Sequence, residues 1–366
     1  MKASFEYIFP AICGVQAKRE YYVSMCPLRL IPKIFLFNEE ELVPELRAQR
    51  ILNKTRLPEM SRYILKNSDN YTFSAITASI DGDVKFEPIG AENDSKRIGL
   101  LHIPMSAKFI INDGQHRRAA IEIALREKPE LADESIAVVF FLDIGLERCQ
   151  QMFADLNRYA IRPSKSLGVL YDHRDESAKV VKELVLNSPV FRGIVEMDRS
   201  TLSARSRKLF TLSAIYSATI ALFSGMKDEE ASDRTGIAMT YWSEVAKSIP
   251  EWQLVRDRKM TSGEVREAFL HSHGVILQAL GRVGNALLKE DMSAWPRRLK
   301  RLRTLDWTRA NAKLWEGRAM IGGGVSKAEH NVVLATNAIK RHLEISLSPD
   351  EQRIEDAFKR SDNAKR

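Results

Sequence analysis

Ile111-Asn112-Asp113-Gly114-Gln115-His116-Arg117-Arg118 is the stretch on which the fold turns. Residues 108–111 read as a short apolar strand, and Asn112-Asp113-Gly114 reads as a turn. Gln115 then opens a helix that runs to Glu127, with Ala119, Ala120, Ile123 and Ala124 at helical spacing and Pro129 just beyond its end. Gly114 lets the backbone reverse and approach a ligand closely. A helix N-terminus presents unpaired N–H groups that favour an anion. Arg117 offers a planar fork for phosphate, and His116 exchanges a proton near neutral pH. Asp113 is placed to cap the helix or to hold a metal beside a phosphate.

Working outward, residues 136–142 form a continuous apolar run that reads as a buried strand, and residues 146–159 read as a helix. Strand, turn, helix, strand, helix in that order implies an α/β layer. On the N-terminal side, 5–9, 21–25 and 34–37 are short strand-like runs. Residues 39–67 read as helical with breaks at Pro44 and Pro58. Residues 71–80 read as a strand, with Asp81-Gly82 turning it into a hairpin partner at 84–86. Beyond about residue 165 the strand signals fade, and 179–186, 208–224, 238–248, 263–288 and 328–346 read as helices. The expected organisation is an α/β (α+β) domain over 1–165, a mainly helical domain over 166–350, and a charged tail over 351–366 that frays.

The chain has 366 residues, 44% hydrophobic and 28% charged, which is globular usage and excludes wholesale disorder or collagen. Lys and Arg number 56 against 48 acidic residues, a net +8 that suits an anionic partner. Cys13, Cys26 and Cys149 are too dispersed for a disulfide framework or a zinc site, so no metal is expected of them and a reducing, cytoplasmic setting is the simpler reading. No apolar run is long enough to span a membrane. The first 22 residues, broken by Glu6, Pro10, Lys18, Arg19 and Glu20, do not read as a signal peptide.

Asp113-Gly114-Gln115-His116-Arg117 resembles the signature of the DGQHR-domain family, and specifically its DndB branch, which accompanies DNA phosphorothioation (sulfur modification) genes. Further similarity lies in Gln49-Arg50, Arg62-Tyr63-Ile64, Phe153-Ala154-Asp155-Leu156-Asn157, Pro163, Ser166, Leu167 and Tyr171-Asp172-His173-Arg174-Asp175. The family is in turn similar to the ParB/sulfiredoxin superfamily. That resemblance implies a ParB/sulfiredoxin-like N-terminal domain in which Gly114, Gln115, His116 and Arg117 meet nucleotide phosphates, joined by Asn157. Sulfiredoxin carries a reactive cysteine where this chain has Gln115, so thiol chemistry is not expected there.

Three other clusters bear on function. Asp155 and Arg158, with Asn157 on an adjacent edge, read either as a lid over the first site or as a helix end with a salt bridge. Ser203-Ala204-Arg205-Ser206-Arg207-Lys208 is a basic run that suits phosphate contacts. From Trp295 to Arg318 there are eight basic residues, among them Arg297, Arg298, Lys300, Arg301 and Arg303, against Asp306 and Glu316. Trp295, Trp307 and Trp315 interleave with them. This is either a nucleic-acid surface or an amphipathic element with its indoles turned inward. His271 and His273 are two apart, which on a helix separates them, one packed and one exposed. Gly322-Gly323-Gly324-Val325-Ser326-Lys327 lacks P-loop spacing and reads as a flexible loop. No Gly-x-Ser-x-Gly elbow is present.

Two functions follow. The first is a DNA-binding regulator, a repressor acting on double-stranded DNA at its own promoter within a DNA sulfur modification gene cluster. Such a protein would work as a homo-oligomer, alongside other proteins of that system. The second is a nucleotide hydrolase using ATP and Mg2+, with the Asp113–Arg117 turn holding the phosphates and Asp113, His116 and Asp155 as catalytic groups.

Overall fold

The computed structural model describes residues 5–35, 57–142, 146–158, 163–226, 233–288 and 292–363. The chain divides into two compact units, Met1–Ile161 and Arg162–Arg366.

The first unit is mixed α/β. Its strands are β1 (Glu6–Gln16), β2 (Arg19–Pro27), β3 (Ile76–Asp81), β4 (Lys85–Pro88), β5 (Ile98–Pro104), β6 (Lys108–Asp113) and β7 (Ser135–Phe141). They form one sheet in the order β4-β5-β1-β2-β7-β3-β6. Only β3 and β7 pair in parallel in this sheet, and the long stretch between them supplies the crossover that a parallel pair needs. The helices are α1 (Ile31–Ile34), α2 (Leu57–Lys66), α3 (Gln115–Glu127) and α4 (Leu146–Arg158). Alternation along β1 turns Phe9 and Ala11 into the core and leaves Ile8 and Ile12 exposed. Phe9, Phe35, Ile76, Ile111, Ala120, Ile121 and Phe140 build that core.

Several local expectations fail here. Residues 31–34 form a helical turn rather than leading into a strand, since Pro32 sits in its first turn where no N–H is needed. Residues 36 and 37, and most of the 39–67 helix expectation, lie outside the described residues. Strand β3 begins only at Ile76, because Tyr71 N–H turns back to the Asn67 carbonyl and the Tyr63 hydroxyl accepts from Thr72 N–H. Strand β4 pairs with β5, not β3. The inner strand β3, buried over Ile76–Ile80, takes β6 and β7 instead, while charged Lys85 and Glu87 suit an edge.

The second unit is helical: α5 (Lys165–Tyr171), α6 (Glu176–Asn187), α7 (Leu212–Leu222), α8 (Arg234–Lys247), α9 (Pro250–Arg256), α10 (Ser262–Ala268), α11 (Gly274–Leu287), α12 (Trp295–Leu299), α13 (Ala312–Trp315), α14 (Glu329–His342) and α15 (Pro349–Asn363). Two-residue strand pairs, Val195–Glu196 with Phe210–Thr211 and Met320–Ile321 with Gly324–Val325, punctuate it. Trp242, Trp252 and Phe210 interlock in its core, the last two edge to face at 5.0 Å. The expected helix over 208–224 starts only at Leu212, where the Thr211 hydroxyl accepts from Ala214 N–H. The expected helix over 263–288 is two helices. Leu270 N–H is drawn to the Trp307 carbonyl, which breaks the periodicity at 269–273.

The charged tail does not fray over its described length. Residues 349–363 are helical, and fully buried Glu355 receives two hydrogen bonds from Arg318 at 2.7 and 2.8 Å and one from Arg341 at 3.1 Å. Burial pushes the Glu355 carboxyl up, but those guanidinium hydrogen bonds and charges outweigh it and hold it below the ordinary range. Residues 364–366 lie outside the described residues.

Candidate functional site

Strand β6 delivers the chain to Gly114, which stands at φ +110° before the first residue of α3. A Cβ there would meet Ile76 at 3.0 Å and the Arg117 guanidinium at 3.2 Å, so glycine is required both by conformation and by space. Asp113 does not cap the helix. Its carboxylate accepts from Arg117 at 2.5 Å, one helical turn on, and Arg117 also donates to the Ser74 hydroxyl. Arg118 is structural: it donates to the Phe35 and Pro32 carbonyls at 2.9 and 3.1 Å and pairs with Glu122. Gln115 is buried and donates to the Ile111 carbonyl at 3.2 Å, and His116 is half-buried in the first turn of α3.

The turn is therefore a closed ion pair, with Arg117 bound on two sides. An incoming phosphate meets the Asp113 charge and must displace it to reach the guanidinium. The first-turn amides of α3 are the remaining anion-directed feature. Among the described residues no three His, Cys, Asp or Glu side chains gather where they would hold a metal ion.

Asp155, on α4, accepts from Gln151 at 2.7 Å and borders a cavity of about 650 Å³ with Arg19, Glu20, Phe141, Arg148 and Met152. Asp113, His116 and Arg117 do not line that cavity. The link between the two clusters is buried Asn112, whose amide donates to Ser79 at 2.8 Å and lies 3.9 Å from the Met152 sulfur. The side chain of Asn157 lies outside the described residues.

The 203–208 run is a loop built on one half-buried arginine. Arg266 of α10 donates to the carbonyls of Ser203 (2.8 Å), Ala204 (3.1 Å), Ser206 (3.3 and 3.4 Å) and Lys208. The Ser262 hydroxyl donates to the Arg207 carbonyl at 2.7 Å. With its carbonyls directed inward, the loop leaves Arg205 and Arg207 exposed and Lys208 half-exposed. Arg266 and Ser74 are partners that sequence reading missed. Each lies some tens of residues from the motif it serves, and no local pattern announces it.

In the Trp295–Arg318 segment the indoles turn inward. Trp295 and Trp315 are fully buried and Trp307 nearly so, each N–H donating to a backbone carbonyl. The aromatic half of the nucleic-acid pattern is thus core. Arg318 is buried against Glu355, Arg301 pairs with Glu344, and Arg298 donates to the Leu343 and Glu344 carbonyls. Arg297, Lys300 and Arg303 remain exposed.

His271 is fully buried, accepting from Trp252 N–H at 3.0 Å, and His273 is half-buried with its Nε2 at 2.8 Å from the Arg266 carbonyl. Neither is on a helix, contrary to expectation, and burial pulls both below the usual histidine range. The glycine run is a tight hairpin, not a flexible loop: Gly322 and Gly323 have φ +57° and +75°, and their amides hold the Glu316 carboxylate. Burial pushes the Cys26 thiol up to about 12, which keeps it protonated and unreactive at neutral pH. No helix among the described residues is long and apolar enough to cross a membrane.

A family model described as DndB, DNA-sulfur modification-associated, matches residues 9–346. Comparison with curated proteins and with solved structures returns no significant match.

Proposed function

The chain belongs to the DndB family of DNA-sulfur modification-associated proteins, and from that premise we propose that it is a DNA-binding regulator, a repressor of a DNA phosphorothioation gene cluster at its own promoter. The observation that carries this reading is the 203–208 loop. Its carbonyls are bound inward by Arg266 and Ser262, and its Arg205 and Arg207 side chains are exposed. Exposed Arg297, Lys300 and Arg303 add charge of the same sign. Phosphate contacts of this kind position a protein on duplex DNA and release counterions. A two-fold homo-oligomer fits the reading, since operator palindromes mirror protein symmetry.

The test is equilibrium binding of the full chain to its upstream promoter and to a scrambled duplex of equal length, at two salt concentrations, with and without ATP and Mg2+. The promoter is expected to bind about 10³-fold or more tightly than the scrambled duplex. Equal affinity for both removes the repressor reading. Hydrolysis of ATP without promoter preference moves the function to the Asp113–Arg117 turn.

A further inference from the structure

Residues 204–208 form one wall of a cleft of about 830 Å³. The turn at Arg192-Gly193 and the segment 255–263, which leaves α9 and enters α10, form the others. Arg192, Arg205, Arg207, Lys208, Arg256 and Arg258 line it, and no aspartate or glutamate does. Lys208 Nζ donates to the Gly193 carbonyl at 2.9 Å and so ties two walls together. Gly263 brings α10 so close that a Cβ would stand 2.9 Å from the Ala204 carbonyl oxygen. Six like charges converging in a concave site repel one another and focus a positive field, a condition that an anion relieves.

A second observation comes from the backbone. Arg258 has φ +58°, at the point where α9 ends and Lys259 N–H returns to the Leu254 carbonyl at 2.8 Å. A left-handed stop of this kind is the position where glycine is least strained. Here an arginine occupies it. An arginine at that position adds its charge to the cleft wall, where glycine would add none.

We infer that this cleft is a phosphate-binding site, and that Arg258 stands for its charge at a position backbone geometry would give to glycine. The inference rests on the DNA-binding reading for its ligand, the duplex backbone. The shared chemistry is a phosphate oxygen held by guanidinium forks, so a free nucleotide is the other source to be distinguished.

The experiment compares the full chain with Arg258→Gly and with Lys259→Ala, which removes an equal charge one residue away and outside the cleft. Each is titrated with promoter duplex over a salt series and with ATP, and melted. Arg258→Gly is expected to keep its melting midpoint or raise it by about 2 °C. It is expected to weaken duplex binding about fivefold at low salt and to lower the salt slope by about 0.9, with a smaller change in Lys259→Ala. Unchanged duplex affinity and slope in Arg258→Gly, in a protein that binds DNA, overturn the cleft and leave the DNA reading standing. ATP binding that Arg258→Gly weakens, without duplex binding, keeps the phosphate site and removes the DNA reading. Binding of neither ligand by the unmodified chain overturns both.

Discussion

The turn at Asp113–Arg117 and the loop at 203–208 carry the same kinds of side chain and reach opposite electrostatic conditions. In the turn, Arg117 meets Asp113 at 2.5 Å and the Ser74 hydroxyl, so its charge is answered within the fold. In the loop the answered groups are carbonyl oxygens, bound by Arg266, and the Arg205 and Arg207 side chains are left exposed. A motif rich in arginine is therefore an anion site only where the fold does not supply the anion itself. The partner that decides, Ser74 or Arg266, is distant in sequence in both cases.

The comparison can be broken hardest at Arg266. Arg266→Ala leaves the Ser203, Ala204, Ser206 and Lys208 carbonyls without their donor, and the expected loss is about 2–4 kcal/mol of stability. Chemical denaturation reads that loss, and duplex binding should fall more than tenfold with it. Native-like stability in this variant would mean that the loop holds its shape unaided.

Gly114→Ala tests the other region. The left-handed φ and the Ile76 contact together are expected to cost about 1–3 kcal/mol, seen as an earlier urea midpoint. Asp113→Asn is milder. The pair is half-exposed on the carboxylate side, so stability should change by less than about 1 kcal/mol. With the competing charge gone, the turn approaches the loop's condition, and binding of ATP, measured calorimetrically, is expected to strengthen. No gain would show that Asp113 does not guard Arg117.

Mild acid separates the regions further. His271 and His273 lie in the α10–α11 break, where His273 meets the Arg266 carbonyl, and burial depresses both. A depressed histidine stays neutral in the fold while the unfolded chain takes up the proton. Stability of the second unit is therefore full above the unfolded histidine value, near 6.5, and is lost as pH falls below it through the folded value. Thermal melts across pH 7 to 5 should show the decline, and His271→Asn should flatten it.

How much was legible in the sequence follows the range of the forces involved. The strand, Gly114 and α3 could be read because a chain reversal and a helical stripe are local. Strands β6 and β7 and helices α3 and α4 appear where periodicity places them. The pairing of β4 with β5, the break before Gly274 and the docking of α15 could not be read. Each depends on a contact from far along the chain: β5 for β4, the Trp307 carbonyl for Leu270, and Arg318 and Arg341 for Glu355. The same limit governs the functional clusters. Basic residues near Trp295, Trp307 and Trp315 look like a nucleic-acid pattern in one dimension, but the indoles are core. The cations at 192, 256 and 258 look unremarked in one dimension and converge with the loop in three.

The proposed DNA contact rests on the exposed Arg205 and Arg207 of the 203–208 loop. The most direct measurement is the salt dependence of promoter binding by the full chain and by a variant carrying Arg205→Ala and Arg207→Ala. The loop is held through its backbone, so truncating these side chains should leave the melting midpoint close to that of the unmodified chain. Two lost phosphate contacts are expected to reduce the slope of log affinity against log salt by about 1.8. An unchanged slope and affinity would contradict the account.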